Sequence, residues 1–318
     1  GFVLGAALLI GIRRRYFPRV GTGRLVMGVL AIGLATGVPI MLRRPDVWEV
    51  PIACAQALTF LAFAAIWRAL HAAKSRDLWL ALASAAYGLA LGARPSLAFG
   101  AVILLVPLTQ AWKTPSSGER RRGMARLRSL IAAIVPIAAI GIALLAYNHA
   151  RFGNPLEFGQ NYQLTGRVER AGQRFGFDFV WFNLWVYFFA PAHWDVYFPF
   201  VRGFALPVPP AGQLGVENPF GVLVNVPLVW LACAVPLVGR IVPAGEGAPL
   251  RAFLWAMCLF FAATALTLLC YGGAVSRYEV EFLTPLVLLA VIGAWTLEGS
   301  LATRAVGRRV AAVTVGLL

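Results

Sequence analysis

The sequence predicts an all-α, polytopic integral membrane protein with about eight complete transmembrane helices, two truncated ones and a long outer loop that carries an interfacial helix. Three observations predict this class. Of the 318 residues, 60% are apolar and only 13% are charged, whereas soluble domains average about 45–50% and about 25%. Apolar runs long enough for a bilayer recur along the chain. The basic residues are distributed unequally between alternate connections, as expected for the two sides of a membrane.

Eight apolar segments account for the predicted complete helices. A stretch of 35 residues, Leu78–Trp112, is too long for one crossing and is broken by Pro95, which disfavours helical geometry at Arg94. It therefore divides into two helices that meet in a tight turn. The truncated helices are Gly1–Ile12 and Val310–Leu318. The eight complete ones are Leu25–Leu42, Val50–Leu70, Leu78–Ala93, Ser96–Trp112, Ser129–His149, Phe220–Gly239, Arg251–Gly272 and Phe282–Leu297.

The charge distribution predicts orientation. Five connections on one side hold 19 of the 28 Lys and Arg residues but only four acids, and the other side holds nine of each sign. The positive-inside rule assigns the first side to the cytoplasm. The net charge of +15 is therefore a signal of topology, and a nucleic-acid partner is excluded. The cytoplasmic connections are Arg13–Arg24, Arg68–Asp77, Lys113–Arg128, Arg240–Arg251 and Glu298–Arg309.

One outer connection, residues 150–219, is long enough to have a structure of its own. Its segment 175–190 contains nine aromatic residues in 16 and ends at Pro191. Such a composition favours a helix that lies along the membrane interface. It can line a lipid-binding cleft or serve as a simple anchor, and the two interpretations are compatible.

Arg94 is the strongest single candidate for a binding residue. It lies at the outer tip of the helical hairpin, near membrane depth, where an unpaired charge is costly. Its planar fork suits a phosphate. The alternative is that Arg94 reaches the surface or pairs with a neighbouring acid.

The remaining candidates lie on the same predicted side. Carboxylates there could bind sugar hydroxyls, and arginines could bind phosphate, although a helix start rich in acids also has a purely structural explanation. The cysteines and histidines lack the spacing of a metal site, so none is predicted. No cofactor is evident. The candidate substrate-binding residues besides Arg94 are Glu49, Arg151, Glu157, Arg277, Tyr278, Glu279 and Glu281.

Four local patterns occur in an order that resembles a known family. They are Arg-Arg-Pro-Asp-Val-Trp-Glu at 43–49, Gly-Leu-Ala-Leu-Gly-Ala-Arg-Pro at 88–95, Tyr-Asn-His-Ala-Arg-Phe-Gly-Asn-Pro-Leu-Glu-Phe-Gly at 147–159, and Ser-Arg-Tyr-Glu-Val-Glu-Phe-Leu-Thr-Pro at 276–285. Together they resemble the bacterial membrane glycosyltransferases of the GT-C superfamily, akin to dolichyl-phosphate-mannose–protein mannosyltransferases and lipid A aminoarabinose transferases. The resemblance covers most of the chain and implies one glycosyltransferase-like domain over residues 1–318.

The resemblance implies an activity as well. Enzymes of this family transfer a hexose or pentose, with inversion, from a polyprenyl-phosphate carrier to a glycan, lipid or protein acceptor at the outer face of the bacterial inner membrane. It implies a carboxylate base, usually an Asp in the first outer loop, which is expected before residue 1. This chain is therefore expected to lack the catalytic Asp. The alternative is a transporter or lipid flippase without glycosyl transfer. The donor sugar, the acceptor and any requirement for a divalent metal stay open.

Overall fold

The computed structural model describes residues 1–43, 47–113, 119–162, 174–198, 200–243 and 245–301. The fold is mostly helical, as predicted. The α-helices are α1 (Phe2–Tyr16), α2 (Thr22–Leu34), α3 (Val38–Arg43), α4 (Glu49–His71), α5 (Arg76–Ala93), α6 (Leu105–Lys113), α7 (Glu119–Phe152), α8 (Val180–Leu184), α9 (Val222–Asn225), α10 (Val238–Ile241), α11 (Ala248–Leu269) and α12 (Glu279–Leu301).

Other helical geometry extends several of these helices. Two long 3₁₀ segments, Pro95–Leu104 and Pro227–Leu237, lead into α6 and α10. A π-helical turn, Trp185–Phe189, follows α8. Short 3₁₀ turns occupy Ala73–Ser75, Gln160–Tyr162, Phe177–Phe179 and Ser276–Tyr278.

Within the described residues, four helices are long and apolar enough to cross a membrane, half the predicted number. They are Glu49–His71, Arg121–Phe152, Ala248–Leu269 and Ser276–Leu301. The other predicted spans form shorter or irregular helices. The predicted span Leu25–Leu42 is divided at Gly37, whose φ of 78° ends regular helix between α2 and α3. The 3₁₀ geometry begins at Pro95, just before the predicted span Ser96–Trp112, and at Pro227, inside the predicted span Phe220–Gly239.

The structure describes only one of the two terminal segments that were predicted to be helical. The residues predicted as Gly1–Ile12 belong to α1, which continues to Tyr16. The predicted segment Val310–Leu318 lies outside the described residues.

Helix α12 is the centre of the fold. It packs against α2, α4, α11 and the segment Pro227–Leu237. Its residues from Glu279 to Thr296 are all buried. The closest approach occurs at Gly293, where an added Cβ would lie 1.9 Å from the carbonyl oxygen of Leu231. Only glycine permits this backbone contact, which is the type of packing that apolar helices use in membranes.

The aromatic segment 175–190 is helical, as predicted, across Phe177–Phe189. Its buried side packs on α11 and α12, and includes Phe182, Val186 and Tyr187. The opposite side exposes an aromatic residue at every fourth position, which we call the aromatic row: Phe177, Trp181, Trp185 and Phe189. Its position along a membrane interface remains a prediction.

Four short strands within the described residues were not anticipated by the all-α prediction. β1 (Ala192–Trp194) and β2 (Val201–Phe204) form an antiparallel hairpin. β3 (Gly215–Glu217) pairs in parallel with β4 (Gly273–Val275). The second pair ties the end of the predicted loop 150–219 to the connection between α11 and α12.

A proline in α7 is accommodated by a hydroxyl from α5. Pro136 lies inside α7. The buried Ser84 hydroxyl donates to the carbonyl of Ala133 at 2.7 Å and accepts from the amide of Ile137 at 3.1 Å. These two backbone groups would pair with each other in a regular helix. Ser84 therefore replaces a helical hydrogen bond, as neighbouring hydroxyls do at prolines in membrane helices.

We predict that Ser84→Ala lowers the free energy of unfolding by about 1–3 kcal/mol, because it leaves both backbone groups unpaired. Unfolding of the purified protein in detergent measures this. Thr296→Ala is the matched control, since the buried Thr296 hydroxyl only bonds back to the Ile292 carbonyl of its own helix. Adding Pro136→Ala to Ser84→Ala should recover most of the lost free energy of unfolding, because α7 can then form a regular helix. Equal losses for Ser84→Ala and Thr296→Ala would contradict the bridging role.

Candidate functional site

A cavity of about 450 Å³ lies where the ends of several helices meet the predicted outer loop. Its wall comes from the residue before α4, the turn after α5, the region around β3, and the chain from Thr267 to Tyr278. Three arginines and two glutamates line it together with exposed apolar side chains. The charged lining residues are Arg94, Glu157, Arg174, Glu217 and Arg277.

Arg94 is positioned by the end of α5. Its backbone amide makes the last helical bond, to Ala90 at 2.8 Å, and its extended conformation precedes Pro95. The guanidinium Nε and Nη2 lie 2.8 and 2.6 Å from Glu281 Oε1. The carbon of the guanidinium also lies 4.8 Å from the centre of the Tyr278 ring. The pair is nearly enclosed, since the Arg94 side chain is 17% exposed and that of Glu281 only 4%.

The charge of Arg94 is favoured by its partners. Burial disfavours the charged form, but the Glu281 carboxylate, Tyr278 and Tyr271 together outweigh it and raise the pKa of Arg94 above its ordinary value. The Ser96 hydroxyl lies 3.0 Å from both carboxylate oxygens of Glu281 and donates to that carboxylate. The sequence offered two interpretations of Arg94, a binding residue or a residue paired with a neighbouring acid. In the structure Arg94 is paired with Glu281 and also lines the cavity.

Arg277 is a second cation on the cavity wall. It projects from the 3₁₀ turn that follows β4 and forms a close ion pair with Glu217 of β3. Glu49 Oε1, at the start of α4, lies 4.0 Å from the same guanidinium nitrogen, Nη1. Among the described residues, neither Glu49 Oε2 nor Arg277 Nε has a hydrogen-bond partner, although both atoms are buried. These two atoms can therefore still form hydrogen bonds, for example with a ligand.

The third cation, Arg174, comes from the predicted outer loop. Its Nη2 donates to Asn161 Oδ1 at 2.8 Å. The Asn161 side chain donates in turn to Glu157, whose other oxygen accepts from the Asn161 amide at 3.2 Å. This chain of contacts holds Glu157 at the cavity.

Tyr271 supplies a neutral hydroxyl between these groups. Its ring contacts those of Phe175 and Tyr278, with centroids 5.3 and 5.9 Å apart. Burial raises the pKa of Tyr271 to about 12. The phenol therefore stays protonated near neutral pH and can donate a hydrogen bond.

The structure brings together most of the predicted site residues. Arg94, Glu157, Arg277 and Tyr278 line the cavity. Glu281 and Glu49 lie behind the wall as ionic neighbours of the two predicted arginines.

The other two predicted residues neither line this cavity nor contribute to the ion pairs described above. Glu279 is fully buried, and its Oε1 accepts from the amide of Phe220 at 2.8 Å. Two residues turn a helix by about 200°, so Glu279 and Glu281 lie on opposite sides of α12. Arg151 is exposed, and its guanidinium packs on Tyr147 and Phe152.

Sequence reasoning did not single out Arg174, Glu217 or Tyr271. One available signal was the charge assignment itself, because only nine of the basic residues fall on the predicted outer side and three of these line the cavity. The pairing of β3 with β4, which brings Glu217 to Arg277, has no counterpart in the local sequence.

Comparison with models of known protein families, with curated proteins and with solved structures gives no match. The GT-C resemblance therefore remains a prediction. Within the described part of the chain, no group of three or more His, Cys, Asp and Glu residues is arranged to hold a metal ion.

We predict that Glu281→Gln lowers the free energy of unfolding by about 3–5 kcal/mol, because it leaves the enclosed Arg94 charge without its counter-charge. Unfolding in detergent measures the loss. Glu217→Gln is the control and should cost less than about 1 kcal/mol, since Glu217 is 59% exposed and Glu49 stays beside Arg277.

The double variant Arg94→Met/Glu281→Leu should recover much of the stability lost in Glu281→Gln, because it removes both charges of the enclosed pair. Glu281→Gln and Glu217→Gln variants of equal stability would show that the Arg94–Glu281 pair does not hold the site together.

Proposed function

We propose that this protein is a membrane glycosyltransferase of the GT-C type. It transfers a sugar, with inversion, from a polyprenyl-phosphate-linked donor to a glycan, lipid or protein acceptor at the outer face of the bacterial inner membrane. The observation that carries the proposal is the group of three arginines, Arg94, Arg174 and Arg277, on the wall of one cavity at the ends of apolar helices.

The location of the cavity supports an outward-facing site. Its residues lie just before α4, just after α5, just after α11 and just before α12. These four helix ends all belong to the side that the charge distribution predicts to be outer. The helices that carry them therefore alternate in direction in the way that the proposed topology requires.

The charged groups suit a sugar phosphate. Departure of a lipid phosphate develops negative charge on its oxygens, which preorganised guanidinium groups stabilise. Glu157 and Glu217 offer acceptors for sugar hydroxyls, and Tyr271 offers a neutral donor. The volume of about 450 Å³ falls within the usual range of small-molecule sites, about 300–1,000 Å³.

The apolar part of the wall suits a prenyl tail. Trp48, Phe99, Leu156, Phe158 and Phe175 line the cavity and are all exposed. Phe99 lies on the 3₁₀ segment between α5 and α6, whose sequence is entirely apolar apart from Ser96. A tail that leaves the cavity along these side chains stays in contact with apolar surface.

We also retain the eight predicted crossings in this proposal. A 3₁₀ helix rises about 2.0 Å per residue, against about 1.5 Å for an α-helix, so Pro227–Ile241 extends about 28 Å and Pro95–Lys113 about 34 Å. Both lengths match a hydrocarbon core of about 30 Å. Extended geometry can therefore compensate for the small number of residues in these segments.

In protein that carries the carboxylate base implied by the resemblance, we predict that Arg94→Lys lowers the turnover of the lipid-linked donor by about 10²–10³-fold, the usual loss when one transition-state hydrogen-bond donor is removed. The lysine keeps a positive charge beside Glu281 but cannot present the fork. Transfer of labelled sugar from the lipid carrier in membranes measures turnover. Arg277→Lys should reduce it as well.

Arg151→Lys is the matched control, because Arg151 is an arginine on the same predicted side that does not line the cavity. It should retain full turnover. Wild-type transfer by a folded and correctly inserted Arg94→Lys protein would contradict the phosphate role of Arg94. Movement of the intact lipid-linked sugar across the membrane without transfer would favour the flippase alternative.

A further inference from the structure

The hairpin of β1 and β2 carries an exposed apolar tip. The strands pair Ala192 with Phe204 and His193 with Gly203, and residues between them form the turn. Five large apolar side chains at this end are each more than half exposed. We call them the hairpin tip: Trp194, Val196, Tyr197, Phe198 and Phe200. Such a concentration of exposed aromatic surface usually marks an interaction site.

The tip is a folded structure in which several polar groups are paired. The Asp195 amide donates to the Phe200 carbonyl at 2.8 Å, and the Phe200 amide donates to the Tyr197 carbonyl at 2.7 Å. The Asp195 side chain accepts from the Tyr197 amide at 3.1 Å and forms an ion pair with Arg202. The two charges nearest the tip therefore compensate each other, and its large exposed side chains are aromatic or aliphatic.

The base of the hairpin is attached to the start of an apolar helix. Asn225 of α9 accepts from the Ala192 amide at 3.1 Å and donates to the Ala190 carbonyl at 2.8 Å. The Phe204 and Phe220 rings also pack, with centroids 5.9 Å apart. The segment Pro227–Leu237 begins two residues after Asn225. If this helix crosses the membrane, the hairpin base is held near the level of the bilayer surface.

The hairpin is also continuous with the aromatic row. Only Ala190 and Pro191 separate Phe189 from β1, and the Trp185 indole donates to the Ala205 carbonyl at 3.5 Å. Both features therefore belong to one attached unit that exposes tryptophan and phenylalanine. These aromatic residues, together with tyrosine, are enriched where a protein meets the boundary between lipid headgroups and acyl chains.

We infer that the hairpin tip inserts into the outer leaflet of the membrane, at the boundary between headgroups and acyl chains. We assign lipid as its partner for three reasons. The large exposed side chains of the tip are aromatic or aliphatic, its charges are paired, and its base is bonded to the predicted outer end of an apolar helix. The tip is a second anchor for the predicted outer loop, beside the aromatic row. This inference depends on membrane embedding and is independent of sugar transfer.

Site-specific labelling of the whole chain in phosphatidylcholine vesicles tests the inference. Cys54, Cys233, Cys258 and Cys270 are first replaced by alanine, and Phe198→Cys is then labelled with an environment-sensitive fluorophore. Ala211→Cys is the matched control, an exposed position in the same predicted loop outside the hairpin. Lipids brominated near the top of the acyl chain serve as the membrane quencher, and iodide serves as the aqueous quencher.

We expect the label at residue 198 to show blue-shifted emission, strong quenching by brominated lipid, and iodide quenching several-fold weaker than at residue 211. Similar quenching at both positions would overturn the inference. Protection of residue 198 from both quenchers would also overturn it, since this result indicates a protein partner or a second copy of the chain. Neither readout depends on glycosyl transfer.

Discussion

The ion pair between Arg94 and Glu281 is the interaction on which the site depends. It joins the end of α5 to the start of α12, the most buried helix of the fold. Two charges with so little exposure are stable only when each has the other and further hydrogen bonds. Ser96 supplies those bonds to Glu281, and the Tyr278 ring faces the guanidinium. The position of the cavity follows from this constraint, because its wall includes Arg94, Ser96 and Tyr278.

The other charges of the cavity follow the same principle at lower cost. Arg277 lies between Glu217 and Glu49, and Arg174 reaches Glu157 through Asn161. Each cation therefore has a carboxylate near it before any ligand arrives. In the proposed function, a phosphate that enters the cavity shares or replaces these contacts, and the carboxylates can accept hydrogen bonds from hydroxyls of the same ligand. This arrangement is consistent with the sugar phosphate that we propose as the ligand.

Local sequence patterns predicted the helical class, the break at Arg94 and Pro95, and the helical aromatic segment, because each depends on neighbouring residues. They did not predict the 3₁₀ geometry of Pro227–Leu237, which arises from prolines together with close packing at Gly293. They also failed to separate Glu279 from Glu281. Which side of α12 faces the cavity depends on tertiary packing, and both residues lie in the same apolar context. The contact between Glu217 and Arg277 requires the pairing of β3 and β4 across about 60 residues.

Binding of a polyprenyl phosphate to the purified protein, followed by native mass spectrometry in detergent, tests most directly whether the arginine-lined cavity is a lipid-phosphate site. The corresponding polyprenol, of the same chain length but without phosphate, separates recognition of the phosphate from recognition of the tail. We expect the phosphate to be retained and the alcohol to be lost, with the difference reduced in Arg94→Lys and Arg277→Lys. Equal retention of phosphate and alcohol by the wild-type protein would contradict the assignment.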